Sequence, residues 1–237
     1  MLPIPGYINA LFILITFAVF FWIIIGLMRS PNVTTQKSAN VAGLMLLMWC
    51  IFQSTLSLNK WYIDRISEPP HLTFALAGPL VIFTLAMAIP FTRRVLDGLT
   101  LFHLTAVHIV RIPVEITLWL LFLQGQIPVS LTWTGFNFDV LIGLSAIVMT
   151  LLVWKQKVST SLLLAWNFIG MIFLGIVVGT AIGAAPTSIQ WRDFTQPNYA
   201  MIHFPFIWLP SFVVPVVLFS HIMSIRLLLR KAPLTSH

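Results

Sequence analysis

Residues 8–28 read INALFILITFAVFFWIIIGLM, twenty-one positions without one charged side chain. Crossing ~30 Å of hydrocarbon takes about 20 helical residues, so this run is long enough to span a bilayer. No basic segment precedes it, no small-residue cleavage site follows it, and it exceeds the roughly 7–15 apolar residues of a signal-peptide core, so it reads as a retained helix. The rest of the chain is of the same character. Of its 237 residues 59% are hydrophobic and 8% charged, with a mean hydropathy of +0.97, whereas a soluble domain carries about 25% charged residues. A soluble fold is excluded, and the expected solvent of the outer helix faces is lipid.

Outward from that first run, apolar stretches recur at 40–58, 72–91, 100–123, 137–154, 161–183 and 203–226. The pattern predicts an all-α membrane protein, one transmembrane domain built as a seven-helix bundle. Pro79 and Pro90 interrupt the third run, and proline is tolerated where neighbouring helices re-satisfy the freed backbone groups. Cytoplasmic loops carry the excess of Lys and Arg. Arg29, Lys37, Arg93, Arg94, Lys155, Lys157, Arg226, Arg230 and Lys231 fall in one set of alternate breaks, and Lys60, Arg65 and Arg192 in the other. Nine against three predicts an outside N-terminus, a cytoplasmic C-terminus and a place in the bacterial inner membrane. Trp61, Tyr62, Trp133, Trp191 and Tyr199 then fit an outer aromatic belt, and the Asn32-Val33-Thr34 sequon falls on the inner side, where it reads as chance.

The net charge of +7 and pI near 10.2 do not imply nucleic acid, because a nucleic-acid footprint gathers its cations on one face and these are scattered through short breaks. The single cysteine, Cys50, lies within an apolar run and reads as a small packed hydrophobe. The 184–202 break contains Gln190-Trp191-Arg192-Asp193 and Gln196-Pro197-Asn198-Tyr199; it either folds over the outer mouth or only connects two helices.

The informative residues are those that are expensive in lipid. An ionisable group at mid-bilayer costs at least about 2.5–3.5 kcal/mol, so it faces the bundle interior and marks function. The fourth run holds four: His103, His108, Arg111 and Glu115. At about 100° per residue, Arg111 lies roughly 60° from His108, Glu115 roughly 20° and Trp119 roughly 20° on the other side, one stripe from which His103 points away. Guanidinium stays charged, so Arg111 requires an anion: Glu115, the nearest at i+4, or Asp139, or a bound ligand. Depth sorting gives an inner set of His108, Asn167 and His221 and an outer set of Gln53, Glu115 and Asp139, with Arg111 between them. A catalytic zinc needs three converging protein ligands; only His108 and His221 could share an ion, and the histidines specify no cofactor. Gly175, Gly179 and Gly183 form a small-xxx-small ridge whose partner is a helix of this chain or of a second copy in a homo-oligomer. Pro205, Pro210 and Pro215 predict a kinked seventh helix.

The run His108-Ile-Val-Arg111-Ile-Pro113-Val-Glu115, with Gly135-Phe-Asn137-Phe-Asp139-Val-Leu-Ile-Gly143 and Phe204-Pro205-Phe-Ile-Trp208-Leu-Pro210, resembles a family of uncharacterised bacterial seven-helix integral membrane proteins. The resemblance covers most of the chain, from about the fourth run onward, and implies a shared polar site without an activity. A rhodopsin-like pigment would need a Schiff-base lysine, which 203–226 lacks. Seven-helix zinc hydrolases of the alkaline ceramidase and adiponectin receptor type carry an HxxxH pair in their last helix, where this chain has only His221 in the inner half. Three readings stand: transport through a buried Arg/Glu/His site that binds a small polar or anionic solute or relays protons; an intramembrane lipid-modifying enzyme, metal-dependent through His108 and His221 or not; and a seven-helix membrane sensor.

Overall fold

The computed structural model describes residues 4–63, 66–135 and 137–231; Arg65 of the charge balance and Phe136 of the quoted run lie outside them. All regular structure among the described residues is helical. The helices are α1 (Gly6–Met28), α2 (Val33–Leu58), α3 (Leu72–Ala88), α4 (Pro90–Asp97), α5 (Leu101–Ala106), α6 (Arg111–Leu123), α7 (Asp139–Trp154), α8 (Thr160–Ala184) and α9 (Val214–Lys231), with a 3₁₀ turn Val107–Val110 joining α5 to α6 and a π turn Leu209–Val213 leading into α9. Five helices among the described residues are long and apolar enough to cross a membrane: Gly6–Met28, Val33–Leu58, Leu101–Leu123, Thr160–Ala184 and Leu209–Arg230. A sixth crossing results if α3 and α4 are counted as one broken span.

The helix starts follow local chemistry. Asn32 of the sequon is the N-cap of α2, accepting the Thr34 N–H at 2.9 Å, and Thr100 and Ser159 cap α5 and α8 by accepting from His103 N and Leu162 N, each satisfying a donor the first helical turn leaves unpaired. Pro90 sits at the first position of α4, where its missing N–H is harmless. The third run therefore does not stay straight to residue 91: α4 leaves α3 at 101°. The fifth run is shorter than expected, since α7 has 16 residues and reaches about 24 Å at 1.5 Å per residue.

Two prolines shape the core helices. Pro113 has no N–H to offer the carbonyl of Ile109, and the preceding turn tightens to 3₁₀ over Val107–Val110. Pro215 likewise leaves the Ser211 carbonyl free at the π turn, and the Trp49 indole N–H reaches across from α2 to donate to it at 2.8 Å. Trp49→Phe should therefore cost about 1 kcal/mol of stability from the lost hydrogen bond, read as an earlier unfolding midpoint in detergent; an unchanged midpoint would show that this carbonyl is satisfied some other way.

Burial identifies the centre of the bundle. Half of Leu101–Leu123 and half of Leu209–Arg230 is buried, against 22–33% of the other three long spans, so the two proline-distorted helices lie inside and α1, α2 and α8 present broad apolar faces outward. One end is tied by Ser30 Oγ donating to Gly98 O, by Thr35 Oγ1 donating to Val95 O, and by Asp97 accepting from Arg226 and Arg230; we term it the Asp97 end. At the opposite end the 184–202 segment does fold over the bundle. Trp191 N and Arg192 N donate to Gly183 O, Tyr199 N and Ala200 N to Gln126 O, Gln196 Nε2 to Ile127 O, and Asp193 accepts from Ser130 Oγ. Tyr62, expected in an aromatic belt, is instead buried at 1% exposure because its ring packs in the main apolar cluster.

Candidate functional site

The site grows from the stripe on the Leu101–Leu123 span. Because three residues of a 3₁₀ turn close a full revolution, His108 and Arg111 come closer to eclipse than an α-helix would place them. Arg111 points into the bundle and is 2% exposed. Its Nη1 pairs with Asp139 Oδ1 at the start of α7, so the charge that the helix spacing assigned first to Glu115 is met by Asp139. Its Nη2 lies 2.9 Å from His221 Nε2 on α9, and His221 Nδ1 lies 2.8 Å from Asn167 Oδ1 on α8. A guanidinium can only donate. His221 Nε2 must then accept, the ring proton sits on Nδ1, and Nδ1 donates to Asn167, whose Nδ2 donates to Leu163 O at 2.7 Å. Each step fixes the next, and the chain Asp139–Arg111–His221–Asn167 draws on four elements.

Glu115 is joined to this centre by a residue that helix periodicity did not mark. Asn137 Nδ2 donates to Glu115 Oε1 at 2.6 Å and to Leu131 O at 3.0 Å, while its Oδ1 accepts from Asp139 N at 3.0 Å. Asn two positions before a helix-starting Asp is an Asx-turn arrangement, and that was the available signal in the quoted Asn137-Phe-Asp139 run. Glu115 thus has a neutral donor on one oxygen, and its Oε2 has no hydrogen-bond partner. His108 is fully buried with neither ring nitrogen bonded; its ring stacks on His221 at 3.8 Å between centroids with 25° between planes, and the edge of Trp166 closes a further side at 5.2 Å.

The arrangement separates the expected residues. His108, Arg111, Asp139, Asn167 and His221 meet, with Glu115 attached through Asn137. Gln53 does not join them, since its Oε1 accepts from the Tyr62 hydroxyl on the α2 side of the molecule. His103 accepts a packing role, its ring against Gly26 and Trp22 and its Nδ1 2.8 Å from Thr100 Oγ1. The face-to-face rings of His108 and His221 cannot converge on one ion, because imidazole lone pairs lie in the ring plane. Among the described residues no three His, Cys, Asp or Glu side chains gather as a metal cage.

Two glycines outside the expected ridge make room for the network. A Cβ at Gly170 of α8 would fall within 2.6 Å of His221 Nε2, and one at Gly143 of α7 would be 3.1 Å from Arg111 Cβ. Among the described residues a Cβ at Gly175 or Gly179 would meet nothing within 4 Å, and Gly183 is covered by the Trp191 ring rather than by a packed helix.

Residues 69–229 match the model of a family described as Domain of unknown function (DUF8737). The chain belongs to this family. The DUF8737 match contains every member of the polar network, from His108 on the Leu101–Leu123 span to His221 on α9, together with both glycines that accommodate it. No curated protein and no solved structure matches the chain.

Proposed function

We propose that this member of the DUF8737 family relays protons through the bundle core in support of transport. The observation that carries the reading is the division of labour between two buried carboxyls. Asp139 is committed to Arg111 as a fixed counter-ion. Glu115, a helical turn away, has an amide donor on one oxygen and no partner on the other, which leaves it free to take up and release a proton without stranding a cation. Two titratable groups in contrasting environments with different roles are the usual sign of acid–base assignment, and ionisable residues in spans mark proton relays. His221 and His108 continue the polar path on the Asp97 side. In this reading α7 and the bent α3–α4 pair each complete a crossing, giving seven, and the nine-to-three charge balance sets the Asp97 end in the cytoplasm.

The test uses purified protein in vesicles that contain a pH-sensitive dye, with a potassium diffusion potential to pull protons inward. Wild type should acidify the lumen faster than protein-free vesicles do. Glu115→Gln keeps an oxygen for Asn137 and removes only the exchangeable proton, so its rate should fall about 10²-fold, the usual contribution of a positioned acid–base group. A wild-type rate equal to that of empty vesicles, or a Glu115→Gln rate equal to wild type, overturns the reading.

A further inference from the structure

Hydroxyls in apolar helices ordinarily bond back to the carbonyl one turn earlier, and here Thr16, Ser54, Thr117, Ser211 and Ser220 do so at 2.7–2.9 Å. Thr105, Thr150 and Ser224 do not, although they are buried at 0%, 8% and 0% exposure, and their oxygens have no partner in the protein. Their positions are related. Thr105 stands one turn from His108 on the same face, and Ser224 one turn from His221 on the same face; the two histidines stack on each other, and both steps lead toward the Asp97 end. Leu104 and Met223, their chain neighbours, share one apolar cluster there. Thr150 lies on α7, which packs against α5, seven residues or about 10 Å beyond the Gly143 contact with Arg111. Two residues past Ser224, Arg226 meets Asp97 at the partly exposed rim, so the histidine pair is five residues, about 7.5 Å along α9, from that rim.

Five buried polar atoms without protein partners, both nitrogens of His108 and the hydroxyls of Thr105, Ser224 and Thr150, therefore stand on α5, the turn after it, α7 and α9 from the histidine pair toward the Asp97 end. Orphaned buried polar groups are rare, and an internal water typically makes about three hydrogen bonds to such groups. We infer that a short file of bound water links the His108–His221 pair to the Asp97 end, held by Thr105, Ser224 and Thr150, and supplies protons to the core from that face. The water file stands on these hydroxyls alone; its use for protons rests on the relay reading above.

Hydroxyl-radical footprinting of the purified full chain in detergent, with radicals generated from bound water by an X-ray pulse, tests it directly. Trp166, beside both histidines, and Trp208, bonded to Cys50 O in the apolar core, are matched at 8% and 7% exposure. Trp166 and His108 should be oxidised faster than Trp208, and Thr105→Val with Ser224→Ala should lose that excess while the Trp208 rate, a check on folding, stays the same. Thr105→Ser, which keeps a hydroxyl, should retain it. Equal rates at the two tryptophans in wild type, or an excess unaffected by the double variant, overturn the water file. In the vesicle assay the double variant should slow acidification as Glu115→Gln does. Footprinting that succeeds while Glu115→Gln conducts normally defeats the relay alone; flux that depends on Glu115 but ignores the double variant defeats this route for protons.

Discussion

Asp139→Asn should destabilise the protein by about 3–5 kcal/mol, the range for removing one partner of a buried ion pair. The replacement is nearly the same shape, so the loss is electrostatic. Arg111 cannot shed its proton, its Nε already lacks a partner, and its remaining contact is to a histidine that offers a lone pair but no charge. A guanidinium left in that state has to drag water inward or turn its helix. The measurement is the unfolding midpoint in detergent, paired with the double variant Arg111→Met with Asp139→Leu. Replacing a whole buried pair by apolar side chains is often neutral or stabilising, so the double variant should recover most of the loss while relaying nothing. Full stability of Asp139→Asn would mean that Asp139 does not hold Arg111, and the centre as described would collapse.

What could be read before the fold was known follows from what each residue costs in lipid. A charge within a 20-residue apolar run declares itself, and the i, i+3, i+7 spacing of His108, Arg111 and Glu115 put them on one stripe. Partner choice was another matter. Glu115 is the nearest acid to Arg111 along the helix, yet Asn137 turns the chain just ahead of α7 by accepting the Asp139 N–H, and that turn sets Asp139 against the guanidinium and leaves the Asn137 amide to Glu115. Azimuth was only partly legible for α8: Asn167 marks an inward face that Gly170, three residues on, nearly shares, but the Gly175-Gly179-Gly183 spacing drew attention to a different face, where Gly175 and Gly179 meet nothing. Depth alone grouped Gln53 with Glu115, and depth does not specify neighbours; the buried Tyr62 hydroxyl claims Gln53 on another side of the bundle. The proline positions were plain in the chain, whereas their consequences, a 101° bend at Pro90 and a 3₁₀ turn ahead of Pro113, depend on what each freed backbone group packs against.

Gly170→Val should be nearly as damaging as loss of Asp139, although Gly170 touches no charge. Its Cα lies where α8 passes the His221 ring, and a side chain there would occupy the space of Cε1 and Nε2. In an ordinary core a neighbouring ring would swing aside. His221 has no such freedom, because Nδ1 is committed to Asn167, Nε2 to Arg111, and one face of the ring to His108. The helices must separate or the Arg111–His221 bond must break. Overpacking costs about 1–3 kcal/mol, and losing a hydrogen bond to a charged group about 1.5–3 kcal/mol more. The diagnostic is non-additivity in a double-mutant cycle. Once His221→Ala has removed the ring, Gly170→Val should add little further loss, because the obstructing atoms are gone. If the two changes instead add in full, the valine acts elsewhere, and the close approach of α8 to the imidazole is not what requires glycine at this position.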